Sequence, residues 1–130
     1  MRRYFALLGG GAVNEAPQIL AQDFLFIHPP LTSADGSVGR EEFLAQVLGP
    51  ARVAFPDMTF TITDVLVEGN SACARWTMSA THLAAYMGVQ ASGKRVEVDG
   101  MNLFHTESGL IVATWVARDN LGLLRQLGAA

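Results

Sequence analysis

The sequence has little of three things that would point to particular kinds of protein: cysteine, clustered basic residues and long apolar runs. Cys73 is the only cysteine, which excludes an internal disulfide and the common cysteine-based zinc sites and favours a reducing, cytoplasmic setting. The nine Lys and Arg are scattered and the formal net charge is -3, so no basic stripe matches a nucleic-acid backbone. No apolar run approaches the ~18 residues that span a bilayer. We therefore expect neither nucleic acid nor membrane as a partner.

Signatures of cofactor, metal and covalent chemistry are also lacking. No Gly-rich segment leads into a helix as a phosphate cradle, and no nucleophile stands in a strand-turn-helix elbow. The three histidines, His28, His82 and His105, lack the paired spacing of a metal site. We expect no cofactor and no metal, which leaves proton transfer by side chains as the chemistry to consider.

Half of the 130 residues are hydrophobic, and the length fits one domain spanning 1–130. So high an apolar fraction in a small chain indicates a lined internal cavity, an oligomer interface or both. We expect a hydrophobic small-molecule substrate and a homodimer or homotetramer. The alternating Val112, Thr114, Val116 and Arg118 are expected to form part of the outer, subunit-facing surface.

The first half of the chain predicts short helices around one apolar strand. Helices are expected over 4–8, from Asn14 as a cap, and over 40–48, with a kink or split at Gly49-Pro50. The run 24–27 predicts a short strand that His28 and two prolines end, and 31–39 reads as a surface loop.

The second half predicts strands over 58–68, 71–81, 95–106 and 110–118. Gly69-Asn70 predicts a two-residue hairpin turn, and a bulge is expected near Asp64. The Gly-containing segment 83–95 predicts a loop over one end of the sheet, and Asp119 or Asn120 can cap a final helix. Helices followed by strands joined by hairpins indicate an α+β fold, a strongly curved antiparallel sheet with N-terminal helices packed on its concave face around a pocket.

Short motifs along nearly the whole chain resemble the SnoaL-like polyketide cyclases, within the cone-shaped, nuclear-transport-factor-like α+β superfamily. The motifs are Asp23-Phe24 with His28-Pro29, Phe55-Pro56-Asp57, Ala74-Arg75-Trp76, Thr81-His82, Met87-Gly88, Gly93-Lys94-Arg95-Val96, Gly100, Phe104, Gly109-Leu110-Ile111, Trp115, Asp119 and the block 121–128. The resemblance implies a cone-shaped α+β barrel and a cofactor-free intramolecular aldol cyclisation of a polyketide. It implies Asp119 as the general acid/base and His105 as an assisting histidine.

Asp119 also has a physical argument of its own. It follows the apolar run 111–117, whose walls would desolvate its carboxylate and suit it to proton abstraction. The alternative is that Asp119 only caps the last helix.

The position of His105 depends on the hairpin turn. A three-residue loop at Glu107-Ser108-Gly109 would put His105 on the sheet face of Asp119, on the order of 20 Å away at ~3.3 Å per residue. A two-residue Ser108-Gly109 loop would put His105 on the opposite face.

The remaining candidate site residues would bind substrate through apolar surface or a polar tip. They are His82, His28, Trp115, Asn102, Phe55, Trp76, Met87 and Met101. Dehydration, isomerisation, hydroxylation or epoxide hydrolysis on the same fold are alternative reactions, and a non-catalytic ligand-binding module is the alternative outside catalysis.

Overall fold

The computed structural model describes residues 1–28 and 37–129. Of the predicted loop over 31–39, residues 31–36 lie outside the described residues, as do both prolines after His28, and Val38–Gly39 form a short strand instead of a loop. The helical segments are α1 (Arg2–Leu8), a 3-10 helix (Val13–Gln18), α2 (Arg40–Glu42), a π-helical segment (Phe43–Leu48), α3 (Gly49–Ala54) and α4 (Asn120–Gln126). The strands are β1 (Leu20–Ile27), β2 (Val38–Gly39), β3 (Thr59–Glu68), β4 (Ser71–Thr81), β5 (Arg95–Glu107) and β6 (Leu110–Arg118).

The six strands form one curved, unclosed sheet in the order β2-β1-β6-β5-β4-β3. The predicted α+β class is confirmed. The sheet is mixed rather than wholly antiparallel, because β1 pairs parallel to β6, with Phe26 opposite Thr114. Parallel strands cannot be joined by a tight hairpin, so turn motifs in the sequence do not predict this pairing. No helix in the described ranges is long and apolar enough to cross a membrane.

The β3–β4 and β4–β5 pairings follow the predicted alternation. Glu68 lies opposite Ser71 across the Gly69-Asn70 turn, and the register shifts between Ile62 and Asp64, where the bulge was expected. Even-numbered residues of β4 and β5 point to the concave face and odd-numbered residues to the convex face, as their burial shows. Glycine is needed at Gly100 because a Cβ there would overlap the Trp76 ring, which lies across it from the paired strand.

The β5–β6 hairpin combines a two-residue turn with a bulge. Glu107 lies opposite Leu110, and both turn residues have positive φ, 51° at Ser108 and 81° at Gly109. One extra residue on β6 then shifts the register between His105 and Thr106. A two-residue turn alone would put His105 on the sheet face opposite Asp119. The bulge shifts the pairing by one residue, so His105 and Asp119 share a face.

The bulge also corrects the expected outer face of β6. Thr114 is fully buried, and Val116 and Arg118 line the inside of the cone. The outward residues are Trp115 and Ala117. The surface proposed for subunit contact therefore has a different composition, and the homodimer or homotetramer stays a prediction.

Two helix predictions are wrong in detail. The segment starting near Asn14 is a 3-10 helix whose N-cap is Ala12, without a side-chain cap. The helix from Arg40 continues through Gly49-Pro50 to Ala54 instead of splitting. A π-helical segment precedes Pro50, and its wider turn accommodates a residue that has no N–H and crowds the previous turn.

Aromatic side chains of α1 fill much of the concave face. The Tyr4 ring lies 5.1 Å from Phe104 and 6.3 Å from Phe43, and the Phe5 ring packs on Phe60 and Trp76. Offset and edge-on ring pairs of this kind stabilise by about 0.5–1.5 kcal/mol beyond their buried area. The helices thus cover the sheet and leave one internal space beside Tyr4.

Candidate active site

A partly open cavity of about 80 Å³ lies between the helices and the concave face of the sheet. Its wall is predominantly apolar, with a small number of polar tips. The lining residues used below are Tyr4, His28, Phe55, Trp76, Tyr86, Asn102 and Arg118. Concave apolar space with convergent polar groups is the usual form of a small-molecule site.

His28 lines this cavity and has a buried ring nitrogen without a hydrogen-bond partner among the described residues. It follows the end of β1 and is only 2% exposed. Its Nδ1 lies 3.2 Å from the carbonyl oxygen of Val116, which can only accept, so Nδ1 carries the proton in the neutral ring. Nε2 therefore holds the lone pair, and it is buried without a hydrogen-bond partner among the described residues. In this tautomer Nε2 is the ring nitrogen that can accept a proton.

Burial lowers the pKa of His28, the hydrogen bond to Val116 opposes that shift, and the nearby charge of Arg118 adds to it. The imidazole is accordingly neutral at neutral pH, the form that can act as a base.

The lowered pKa predicts how stability depends on pH. Folding favours neutral His28, so its contribution is complete above the unfolded-state pKa of about 6.5 and is lost as pH falls through the lower folded-state pKa. Denaturant unfolding at pH 7.5 and pH 5 measures this loss. We expect His28→Asn to lose less stability than the wild type between those two values. An equal loss in both proteins would contradict the shift.

Asn102 organises the polar floor of the cavity. Its Oδ1 accepts from the Trp76 indole N–H at 2.8 Å, and its Nδ2 donates to Thr114 Oγ1 at 2.9 Å. The Thr114 hydroxyl in turn donates to the Leu103 carbonyl at 3.0 Å. Both Asn102 and Thr114 are buried, so this network has no water to replace a lost partner.

The Tyr4 phenol completes this floor. Burial raises the pKa of Tyr4 well above its ordinary value, and a hydrogen bond from Asn102 opposes that rise in part. The neutral phenol keeps its proton, which Tyr4 can donate to a bound molecule. A neutral phenol at an apolar wall is suited to stabilising an oxyanion.

The predicted general acid, Asp119, lies on the convex face. It is exposed, its backbone N–H donates to the Asp99 carbonyl, and its Oδ1 accepts from the Gly122 N–H at 2.8 Å. The predicted capping role is therefore confirmed, and a side chain at Gly122 would collide with the carboxylate. The carboxylate borders an open groove with Met101 and does not line the cavity. A catalytic role for Asp119 stays a prediction.

His105, Trp115 and Met101 also lie on the convex face. The His105 ring packs edge-on against Trp115 at 5.1 Å, and Trp115 and Met101 are 41% and 45% exposed. His105 pairs with Ala113, six positions along the strand from Asp119. Since a strand rises ~3.3 Å per residue, the two proposed partners are on the order of 20 Å apart. The structure does not bring these residues to the cavity.

His82 and Met87 are not among the residues that line the cavity. The Ser92 N–H donates to His82 Nδ1 at 3.2 Å, and the His82 ring lies 5.5 Å from Phe55, which does line the cavity. The His82 N–H donates to the Lys94 carbonyl and the Gly93 N–H donates to the His82 carbonyl, and these two bonds close the base of the loop over 83–94. His82 therefore anchors this loop, while Met87 sits at its tip with a positive φ of 50°.

Comparison with known proteins adds a family to this geometry. The family model for SnoaL-like polyketide cyclases matches residues 1–127. The chain belongs to this family. No curated protein sequence matched the chain.

Solved structures agree with this membership in the SnoaL-like family. IdmH from Streptomyces antibioticus, a proposed polyketide cyclase, is 28% identical, with 95% of this chain and 92% of that chain covered and a TM-score of 0.83. TsrD from Streptomyces laurentii is 28% identical, with 100% and 92% covered and a TM-score of 0.84. A proposed SnoaL-like polyketide cyclase from a Jannaschia species is 20% identical, with 99% and 89% covered and a TM-score of 0.85, and supports the fold alone.

In this SnoaL-like chain, four of the residues predicted to bind substrate line the cavity, namely His28, Phe55, Trp76 and Asn102, and their binding role stays a prediction. It missed Tyr4, which was treated only as part of a helix, and it assigned Arg118 to the outer face. The face of Arg118 could have been predicted from that of Asn102. In the observed β5–β6 register the two residues share the concave face. The described residues contain no group of three or more His, Cys, Asp or Glu that could hold a metal ion.

Proposed function

We propose that this SnoaL-like protein catalyses intramolecular aldol cyclisation of a polyketide-type molecule by proton transfer inside the central cavity. The observation that carries the proposal is the buried lone pair of His28 Nε2 in the cavity wall. Family membership supports cyclisation as the reaction class.

In the proposed reaction, His28 Nε2 removes a proton from a methylene beside a ketone. The resulting enolate carbon attacks a second ketone of the same molecule, which forms a carbon–carbon bond and an alkoxide. The imidazolium then returns its proton to the alkoxide, so substrate and product have the same mass. General acid/base catalysis of this type contributes about 10²- to 10⁴-fold to a rate.

The floor of the cavity supports the charge that develops on oxygen. The Tyr4 phenol and Asn102 both line the cavity, and the phenol donates to the enolate oxygen. The apolar wall holds the flexible chain in a folded conformation, which raises the effective concentration of the reacting carbons. The wall is mainly apolar, so these hydrogen bonds are stronger than in solution.

The test uses a linear 1,5-diketone bearing an aromatic group, followed by chromatography and mass spectrometry. We expect the protein to accelerate formation of a hydroxycyclohexanone of unchanged mass, with the acceleration removed in His28→Asn. A diketone that binds in the cavity but closes no faster than in buffer would contradict the proposal.

Asp119→Asn separates catalysis from capping. Asparagine is also a good N-cap, so the substitution removes the charge and retains the hydrogen bond to Gly122. Since the carboxylate lies outside the cavity, we expect unchanged turnover and stability, whereas Asp119→Ala should lower the free energy of unfolding by about 1 kcal/mol. A loss of turnover on the order of 100-fold in stable Asp119→Asn would establish Asp119 as the acid.

A non-catalytic ligand-binding module is the second candidate function. The observation that favours it is that Asp119 bonds a backbone amide of the last helix while its carboxylate lies away from the cavity. Binding of the diketone with no conversion would support this candidate.

A further inference from the structure

Arg118 puts a positive charge into the otherwise mainly apolar wall of the cavity. It is the last residue of β6, and its guanidinium extends towards the loop over 83–94. Nε donates to Asn120 Oδ1 at 2.7 Å, Nη1 to the Tyr86 hydroxyl at 3.3 Å, and Nη2 contacts the Met87 sulfur at 3.9 Å. The guanidinium carbon also lies 5.8 Å from the centre of the Tyr86 ring. These contacts fix the cation at the boundary between sheet and loop.

All of these partners are neutral. The ion pairs among the described residues join Arg40 to Glu41, Arg75 to Asp64 and Arg95 to Asp57, and none of them includes Arg118. A partly buried guanidinium without a counter-charge is unfavourable, and an anion beside it would relieve that cost. The cavity is therefore complementary in charge to an acid.

The donor geometry favours a carboxylate in particular. A guanidinium has five N–H groups, and the three contacts above engage one on each nitrogen. One N–H on each terminal nitrogen is left over in the described part of the chain. Two such donors in one plane match the two oxygens of a carboxylate.

We infer that the cavity binds hydrophobic carboxylic acids, with the carboxylate on Arg118 and the apolar part against the aromatic wall. This inference rests on the proposed function, because it takes the same cavity as the substrate site. It specifies the substrate class: a polyketide-type keto acid with a free carboxylate, rather than the corresponding neutral ester or amide.

Calorimetry with phenylpropionate and phenylpropionamide tests the inference without requiring turnover. The two probes have nearly the same size and shape and differ in charge. We expect the acid to bind on the order of 10- to 100-fold more tightly, as for charge-assisted hydrogen bonds. Arg118→Gln should remove the difference, and Arg118→Lys should retain a smaller one. Arg95→Gln is the matched control, because Arg95 is exposed and paired with Asp57, and it should leave the difference unchanged.

Equal affinities for acid and amide in the wild type, absence of acid binding at millimolar concentration, or a preference that persists in folded Arg118→Gln would overturn the inference. If Arg118→Gln does not fold, the comparison of the two probes in the wild type and in Arg118→Lys decides. Failure of the proposed function gives a different result. In that case the acid still binds more tightly than the amide, but no diketone is cyclised. Cyclisation without a preference for the acid would reject the inference about Arg118 and leave the proposed function standing.

Discussion

Replacing His28 with asparagine is expected to lower kcat/KM for the cyclisation by about 10²- to 10⁴-fold. The asparagine amide can still donate to the Val116 carbonyl in place of Nδ1, so the end of β1 keeps its hydrogen bond. The substitution removes the Nε2 lone pair, the group we propose as the base. Steady-state kinetics on the diketone measures the effect, and the wild-type kcat/KM should fall as pH drops through the lowered pKa of His28.

The other two histidines are matched controls. His82 is also fully buried with an unpartnered Nε2 among the described residues, but it does not line the cavity. His105 is exposed on the convex face. His82→Asn and His105→Asn should therefore keep turnover near the wild-type value. A large loss in His105→Asn with none in His28→Asn would reverse the assignment and favour the assisting histidine that the family resemblance implies.

Replacing Asn102 with leucine is expected to reduce both stability and turnover. The Trp76 indole N–H loses its acceptor inside the protein, which costs about 1–3 kcal/mol for an unsatisfied buried donor. The cavity loses the polar group beside Tyr4, so oxyanion stabilisation should fall by about 10²- to 10³-fold in kcat. Denaturant unfolding and kinetics measure the two effects separately.

A double-mutant cycle with Trp76→Phe isolates the hydrogen bond. Removing both partners leaves no unpaired indole N–H, so Asn102→Leu with Trp76→Phe should lose less stability than the sum of the two single losses. Stability would recover in this way without any recovery of turnover, because the polar group beside Tyr4 is still missing. Strict additivity of the two losses would show that the hydrogen bond between Trp76 and Asn102 contributes little.

The sequence predicted the hairpin part of the fold well because its signals are local. The Gly69-Asn70 turn and the strict alternation of β4 determine which side chains face the core. Parallel pairing of β1 with β6 has no such signal, since the two strands are far apart in the chain. The position of Pro50 predicted a break, but a wider helical turn can accommodate a proline, and that depends on packing rather than on residue type.

The candidate site was less predictable for a related reason. A single extra residue in β6 reverses the side-chain faces of the strand, and nothing around Val112 identifies it as a bulge. Arg118 was consequently assigned to the wrong face. The proposed role of His28 depends on which ring nitrogen carries the proton. A hydrogen bond to a carbonyl 88 residues away determines this, and no sequence pattern predicts that bond.

The packing of α1 has a consequence for the order of folding and for access to the cavity. Strands β3 to β6 are consecutive in the chain and can form from local contacts, whereas Tyr4 must find Phe104 across most of the chain. Contacts that close such long loops form late and slowly, because their entropy cost precedes any gain. We therefore expect α1 to dock last and to undock first. Transient release of α1 would widen the opening of the cavity while the sheet stays folded, which provides a route by which a large ligand can enter.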